Sequence, residues 1–254
     1  MAVRTLKVAF LVVSPLLIFA TVAASETYFA GLGGAAIPLD QDVNVRSSLG
    51  GFRIPDVKLK DVEIEKSAVF GIKLGHFFED TEGRGDPGLE VELYYFKHDI
   101  EEQTVSISGD FLGAPISGTF GIGEAELSVF AVELNGLYRL NLARSNGFPN
   151  GRFQPYGGIG VGLFVATLES SLPLFDWDDE DTDYREGVQG IVGTKFFLTK
   201  NVSVFAEYKF ILTADFEFEL EESGIVSGRP MTGKADVESE LIEHLVYAGL
   251  AYHF

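Results

Sequence analysis

The stretch Asn201–Phe210, NVSVFAEYKF, decides how this chain is read. Successive side chains of a β-strand point to opposite faces. Val202, Val204, Ala206, Tyr208 and Phe210 therefore share one face, and Ser203, Glu207 and Lys209 lie on the other. A strand with a continuous apolar face and all its charges opposite separates two unlike environments.

The pattern recurs along the chain. In AVFGIKLGHFF (68–78), Ala68, Phe70, Ile72 and Leu74 oppose Val69, Gly71, Lys73 and Gly75. In GLEVELYYF (88–96), Leu89, Val91, Leu93 and Tyr95 oppose Glu90 and Glu92. In VFAVELNGLYRL (129–140), Val132, Leu134, Gly136 and Tyr138 oppose Glu133, Asn135 and Arg139. In the terminal LVYAGLAYHF (245–254), Val246, Ala248, Leu250, Tyr252 and Phe254 share a face. Period-two alternation predicts eight strands, at 27–37, 66–78, 88–98, 127–142, 152–168, 186–198, 201–218 and 241–254. Most meet the roughly 9–11 residues that a tilted strand needs to cross a bilayer. Their connections run about 28, 9, 28, 9, 17, 2 and 22 residues, long and short in strict alternation.

That alternation is the signature of short periplasmic turns and long external loops. A Lys or Arg facing lipid at the midplane costs about 2–4 kcal/mol. Lys73, Glu90, Glu92, Glu133, Arg139, Lys195, Glu207 and Lys209 are therefore expected to point into a lumen. The predicted fold is all-β: an eight-stranded antiparallel up-and-down transmembrane β-barrel with short periplasmic turns and long extracellular loops. A lipocalin-like soluble barrel would reverse the faces, with an apolar lumen and a charged exterior. The facing of the first strand stays open, because YFAGLGGAA (28–36) has no charge on either side.

The start carries Arg4 and Lys7, an apolar run from Val8, and small residues at Val22, Ala23 and Ala24. This order predicts a signal peptide over residues 1–24 and a barrel domain over 25–254, exported to the cell outer membrane. The chain has no cysteine, so no disulfide is expected. The formal charge of −19 becomes −21 when Arg4 and Lys7 leave with the signal. Such acidity argues against nucleic acid and favours cations or basic surfaces.

The Gly-punctuated PYGGIGVGLFVA (155–166) and GIVGTKFFLTKNVSVFAEYKF (190–210), with the terminal VYAGLAYHF and the signal-like start, resemble the small bacterial outer-membrane barrels of the OmpA-type and opacity-protein group. The resemblance spans about residues 26–254 and implies that Leu250, Tyr252 and Phe254 form the signal read by the barrel-assembly machinery. It further implies outer-membrane lipid and lipopolysaccharide as surroundings. The chain is expected to be a monomer and not an enzyme, presenting acidic external loops for envelope integrity or recognition of an extracellular ligand. The alternative is an OmpW-like conduit or binder for small apolar molecules, with Phe29, Val69, Phe77 and Phe164 lining a pocket. A lipid A-modifying enzyme is a third reading.

Other motifs are weaker. GLGGAA (31–36) matches a dinucleotide fingerprint but lacks the strand-to-helix setting that would place a pyrophosphate, and no cofactor is expected. Asp179, Asp181 and Asp183 have the alternate spacing of a cation loop, but Tyr184 and Gly190 stand where an EF-hand needs Gly and Glu. His98 and Asp99 form the one His–Asp neighbour pair with a place near an external rim. An eight-stranded barrel is just wide enough for its own side chains. Lys73, Glu92, Glu133, Arg139, Lys195 and Glu207 are accordingly predicted to interlock as a polar plug.

Overall fold

The computed structural model describes residues 25–254 apart from 40, 50–51, 54–55, 80–84, 112–113, 173–176 and 227–228. The expected signal peptide, 1–24, lies outside the described residues. Fifteen strands and no helix occur among the described residues. In chain order they are β1 (Ser25–Pro38), β2 (Gln41–Leu49), β3 (Phe52–Arg53), β4 (Val57–Val62), β5 (Ser67–Phe78), β6 (Gly85–Ile100), β7 (Gln103–Phe111), β8 (Ala114–Ile122), β9 (Ala125–Leu140), β10 (Phe153–Leu172), β11 (Trp177–Phe197), β12 (Val202–Thr213), β13 (Phe216–Val226), β14 (Arg229–Ser239) and β15 (Ile242–His253).

Eight of them close a barrel in the order β1-β15-β12-β11-β10-β9-β6-β5, every pairing antiparallel. These are the eight predicted strands. Closure joins the two ends of the chain, with Tyr28 paired to His253 and Pro38 to Glu243. A closed barrel leaves no backbone edge to hydrocarbon, the condition for spanning a membrane with strands.

The predicted faces hold around the ring. Phe70, Ile72, Leu134, Tyr138, Val192 and Tyr208 are exposed on the outside, and Ile159 reaches 76% exposure. Lys73, Glu90, Glu92, Glu133, Arg139, Lys195, Glu207 and Lys209 are all buried inside. The first strand, undecided in sequence, turns Tyr28, Ala30, Leu32 and Ala36 inward and Phe29 and Ile37 outward. Phe29 therefore does not line a pocket. Val69, Phe77 and Phe164 do lie inside. Gly160 and Gly162 make room for them and for the polar side chains. A Cβ on Gly160 would meet Asn135 Oδ1 at 2.0 Å, and one on Gly162 would meet Glu133 Cγ at 2.9 Å.

The external connections are themselves strands. A second sheet runs β13-β14-β2-β4-β7-β8, with β3 paired to β2, and continues the barrel wall outward. The predicted strand 201–218 thus divides at Ala214–Asp215. Inward residues are odd-numbered up to Thr213 and even-numbered from Phe216, and a strand cannot change parity without a break. The same switch occurs after Pro38 and after Ile100. The acidic segment Trp177–Glu186 is likewise strand β11 rather than loop, paired with β10 as far as Leu172.

Above these breaks the chemistry of the two faces is exchanged. Phe216, Phe218 and Leu220 are buried, while Glu217 and Glu219 are exposed. On β2, exposed Asp42 and Arg46 alternate with half-buried Val43 and Val45. Lys58 Nζ lies 2.8 Å from Asp42 Oδ2 on this outer face, and that hydrogen bond holds the Asp42 carboxyl below its ordinary range. Apolar-out gives way to polar-out where lipid gives way to water. Replacing lipid-facing Ile159 by Lys is expected to destabilise the barrel by about 2–4 kcal/mol, whereas Glu219→Lys above the break changes stability by less than about 0.5 kcal/mol. Urea titration in lipid bilayers measures both.

Candidate functional site

Inside the membrane level the lumen is closed by ion pairs. Lys73 Nζ donates to Glu207 at 2.8 and 2.9 Å and to Glu90 at 3.2 Å, and lies 3.2 Å from Glu92. Lys209 Nζ donates to Glu92 at 2.7 Å and to Glu133. Two ammonium groups thus face four carboxylates, and tyrosine hydroxyls supply further donors. Tyr28 donates to Glu90 at 2.5 Å, Tyr94 to Glu133 at 2.5 Å and Tyr156 to Glu207 at 2.7 Å. Tyr247 reaches Glu92 at 3.1 Å and Glu207. Buried charges persist only with partners of this kind.

The inward polar side chains form two tiers. Lys73, Glu92, Glu133 and Glu207 meet at the centre, joined by Glu90 and Lys209. Arg139 belongs to a separate cluster towards the periplasm, donating from Nε to Asp86 at 2.9 Å and from Nη1 to Gln154 Oε1 at 3.1 Å, with Glu26 2.8 Å away. Lys195 joins neither tier through a hydrogen bond. Its Nζ lies 3.8 Å from the centroid of the Tyr28 ring and 5.2 Å from that of Phe77, a cation held by aromatic faces. The tyrosines escaped sequence reading because a lumen-facing tyrosine and a lipid-facing one are the same letter in an alternating pattern. Parity with the neighbouring glutamates was the available signal.

His98 and Asp99 do not act together. His98 points inward, donating from Nδ1 to the Glu65 carbonyl at 2.7 Å, with Nε2 3.1 Å from Glu243 Oε2; Asp99 is exposed on the opposite face.

Asp181 and Asp183 accept backbone hydrogen bonds from β13. Asp183 Oδ2 accepts from the Glu217 backbone N–H at 2.9 Å, and Asp181 Oδ2 from that of Glu219 at 2.7 Å. Arg185 lies 3.0 Å from Asp183 and donates to the Asp215 carbonyl. These carboxylates replace a strand ladder, fastening β13 to β11 by side-chain-to-backbone bonds. Asp179 lies on the same strand. Among the described residues no group of acidic or histidine side chains is arranged to hold a metal.

Above the plug, the outer sheet encloses an apolar cavity of about 420 Å3. Val43, Leu59, Leu127, Phe218, Val237 and Leu241 are among its walls. Ile100, Leu127 and Leu168 form its floor at the top of the barrel strands. The volume lies within the range of small-molecule sites. A second apolar hollow, over Gly31 and Gly33, lies on the barrel exterior between Phe70 and Leu250 and faces lipid. Among the described residues no strand pairing joins β8 to β10. Ile122 of β8 and Leu168 of β10 both line the cavity.

At the periplasmic end Leu250, Tyr252 and Phe254 all face outward, exposed to 60%, 51% and 74%. Such an aromatic girdle above a lipid-facing band, on a closed eight-stranded barrel with a polar interior, marks a protein of the outer membrane. The sequence profile of the outer membrane protein beta-barrel domain matches residues 12–254. The chain belongs to this family. Its place is the cell outer membrane.

Among solved structures, the outer membrane protease OmpT from Escherichia coli is 10% identical, with 92% of this chain and 99% of that chain covered and a TM-score of 0.50. The outer membrane protein OprG from Pseudomonas aeruginosa is 18% identical over 89% of this chain and 95% of that one, with a TM-score of 0.45. Ail, the attachment invasion locus protein of Yersinia pestis, in complex with the heparin analogue sucrose octasulfate, is 11% identical over 91% and 99%, with a TM-score of 0.36. At these identities the likeness to OmpT is one of fold. No curated protein matches the chain.

Lys209→Met leaves Glu133 without its ammonium partner and Glu92 with Lys73 alone, and is expected to cost about 3–5 kcal/mol, lowering the temperature at which the folded gel band converts to the unfolded one. Adding Glu133→Gln recovers part of the loss. Asp181→Ala with Asp183→Ala is expected to speed amide exchange at Glu217 and Glu219 about tenfold or more, since each loses a charge-assisted hydrogen bond. Calcium added to the unaltered protein leaves those amides unchanged.

Proposed function

We propose that this outer-membrane barrel captures a small apolar molecule in the vestibule formed by its external strands, without chemistry and without passing it down the lumen. The observation that carries the reading is the exchange of faces above the membrane. Strands that need only a polar exterior to stand in water also line their interior with Phe216, Phe218, Leu220 and Val237, and they leave a cavity between them. Burial of an apolar ligand there is worth about 25 cal/mol per Å2 removed from water, before the cost of association.

The plug below supports binding over conduction. Opening a path past Lys73, Lys209 and four glutamates would strand buried charges. The separation of His98 from Asp99 supports a non-catalytic role. The acidic outer faces of β11 and β13, with Glu180, Glu217 and Glu219 exposed, suit a surface kept soluble in water and bordered by the divalent cations of lipopolysaccharide.

Protein in lipid nanodiscs is expected to raise the fluorescence of 1-aminoanthracene above that of empty nanodiscs. Phe218→Glu, which puts a charge in the cavity wall, and Ala235→Phe, which fills it, each reduce binding at least tenfold while the boiling-dependent gel shift of the barrel persists. Unchanged binding in both variants would exclude the vestibule as the site.

A further inference from the structure

Among the described residues that line the apolar vestibule, Gln41 carries a buried amide nitrogen without a partner. Gln41 opens β2 at the level where the barrel passes into the outer sheet, and its side chain lines the cavity with only 6% of the residue exposed. The Ser239 hydroxyl donates to Gln41 Oε1 at 2.9 Å. The same hydroxyl has the Glu240 carbonyl at the longer distance of 3.2 Å. In this arrangement the amide turns its oxygen towards β14 and its nitrogen away from it. Gln41 Nε2 then makes no hydrogen bond, although it is buried.

A buried amide N–H without an acceptor is unfavourable, and native structures rarely leave one. A water would satisfy it only where other polar groups help hold the water; beside Val43, Val62 and Leu241 the lining has Ser239, whose hydroxyl already serves the Gln41 oxygen, and Glu240. The arrangement is that of a ligand pocket, apolar over most of its surface with a few polar groups, the Gln41 amide among them.

We infer that the vestibule selects apolar molecules that carry one hydrogen-bond acceptor, such as a ketone, an ester or an ether, and that Gln41 Nε2 is the donor that reads it. This rests on the binding role proposed above and adds the chemical class of the ligand. At about 30 Å3 for each water-sized group, the 420 Å3 cavity takes about a dozen non-hydrogen atoms, the size of a substituted bicyclic aromatic or a medium-chain ketone. A long acyl chain exceeds it. Discrimination comes from the protein side as well: a pure hydrocarbon that fills the cavity seals Gln41 Nε2 away from water with nothing to accept its hydrogen bond.

The test uses two competitors of matched size and shape, 2-acetylnaphthalene and 2-isopropylnaphthalene, displacing 1-aminoanthracene from the full chain in nanodiscs. The unaltered protein is expected to prefer the ketone by about tenfold, the worth of one well-placed hydrogen bond in a closed site. Gln41→Leu, which removes the donor and keeps the bulk, is expected to abolish the preference while retaining the hydrocarbon. Ser239→Ala, which leaves the amide but not the bond that turns it, is expected to narrow the preference. The boiling-dependent gel shift confirms that each variant is folded. Equal affinity for the two competitors in the unaltered protein, or a preference that survives Gln41→Leu, would overturn the assignment of Gln41 and leave the binding role standing. If neither competitor displaces the probe and the probe itself does not bind, both readings fall.

Discussion

In hydrocarbon a backbone N–H or C=O without a partner costs several kcal/mol, and no water is present to supply one. Everything else in this protein is arranged around that constraint. The barrel closes by pairing β1 with β15, so the two chain ends must lie side by side. The strand number is then even, and the turns of one end all lie on the side where the chain enters and leaves. Once the wall is closed, each strand has one face for lipid and one for the lumen. The alternation of the sequence is the record of that division.

The lumen face creates a second problem, which the central cluster resolves. Eight strands enclose a space that side chains can fill, and here the filling is charged. Lys73 and Lys209 bring four glutamates together, and four tyrosines from different strands add hydroxyl donors to carboxylates that the ammonium groups alone leave under-supplied. Because the partners come from β1, β5, β6, β9, β10, β12 and β15, the cluster ties together most of the circumference. Ion pairs this deeply buried are weak evidence for stability in themselves. What they supply is register, since a one-residue slip of any strand would send its charge into lipid.

Above the membrane the same strands meet water on the outside, and the preferred arrangement inverts. The inversion needs no change of secondary structure, only parity breaks at places such as Ala214–Asp215. It also changes what the interior offers. A polar, filled lumen becomes an apolar, partly empty vestibule, and the family fold becomes a candidate receptor for small apolar molecules. The two aspartates that bind β13 through its backbone show how the outer wall is completed where strands diverge too far for a ladder.

The sequence by itself determined the eight spanning strands, their facing and the inward charges, because a charge on the lipid face is so costly that alternation becomes a reliable witness. Lys73, Glu92, Glu133 and Glu207 were legible for that reason. It did not determine the facing of β1, where every residue from Tyr28 to Ala36 is uncharged, nor that the external connections are strands, because partners such as β14 and β2 lie far apart in the chain. Arg139 and Lys195 were placed inside by parity, yet only closure of the ring decided that one pairs with Asp86 and the other rests on aromatic rings. The acidic run in β11 has the spacing of a cation loop, and spacing alone cannot reveal that backbone N–H groups of β13 come to meet Asp181 and Asp183. The unpartnered amide of Gln41 is a property of three strands brought together, and only the tertiary structure could show it.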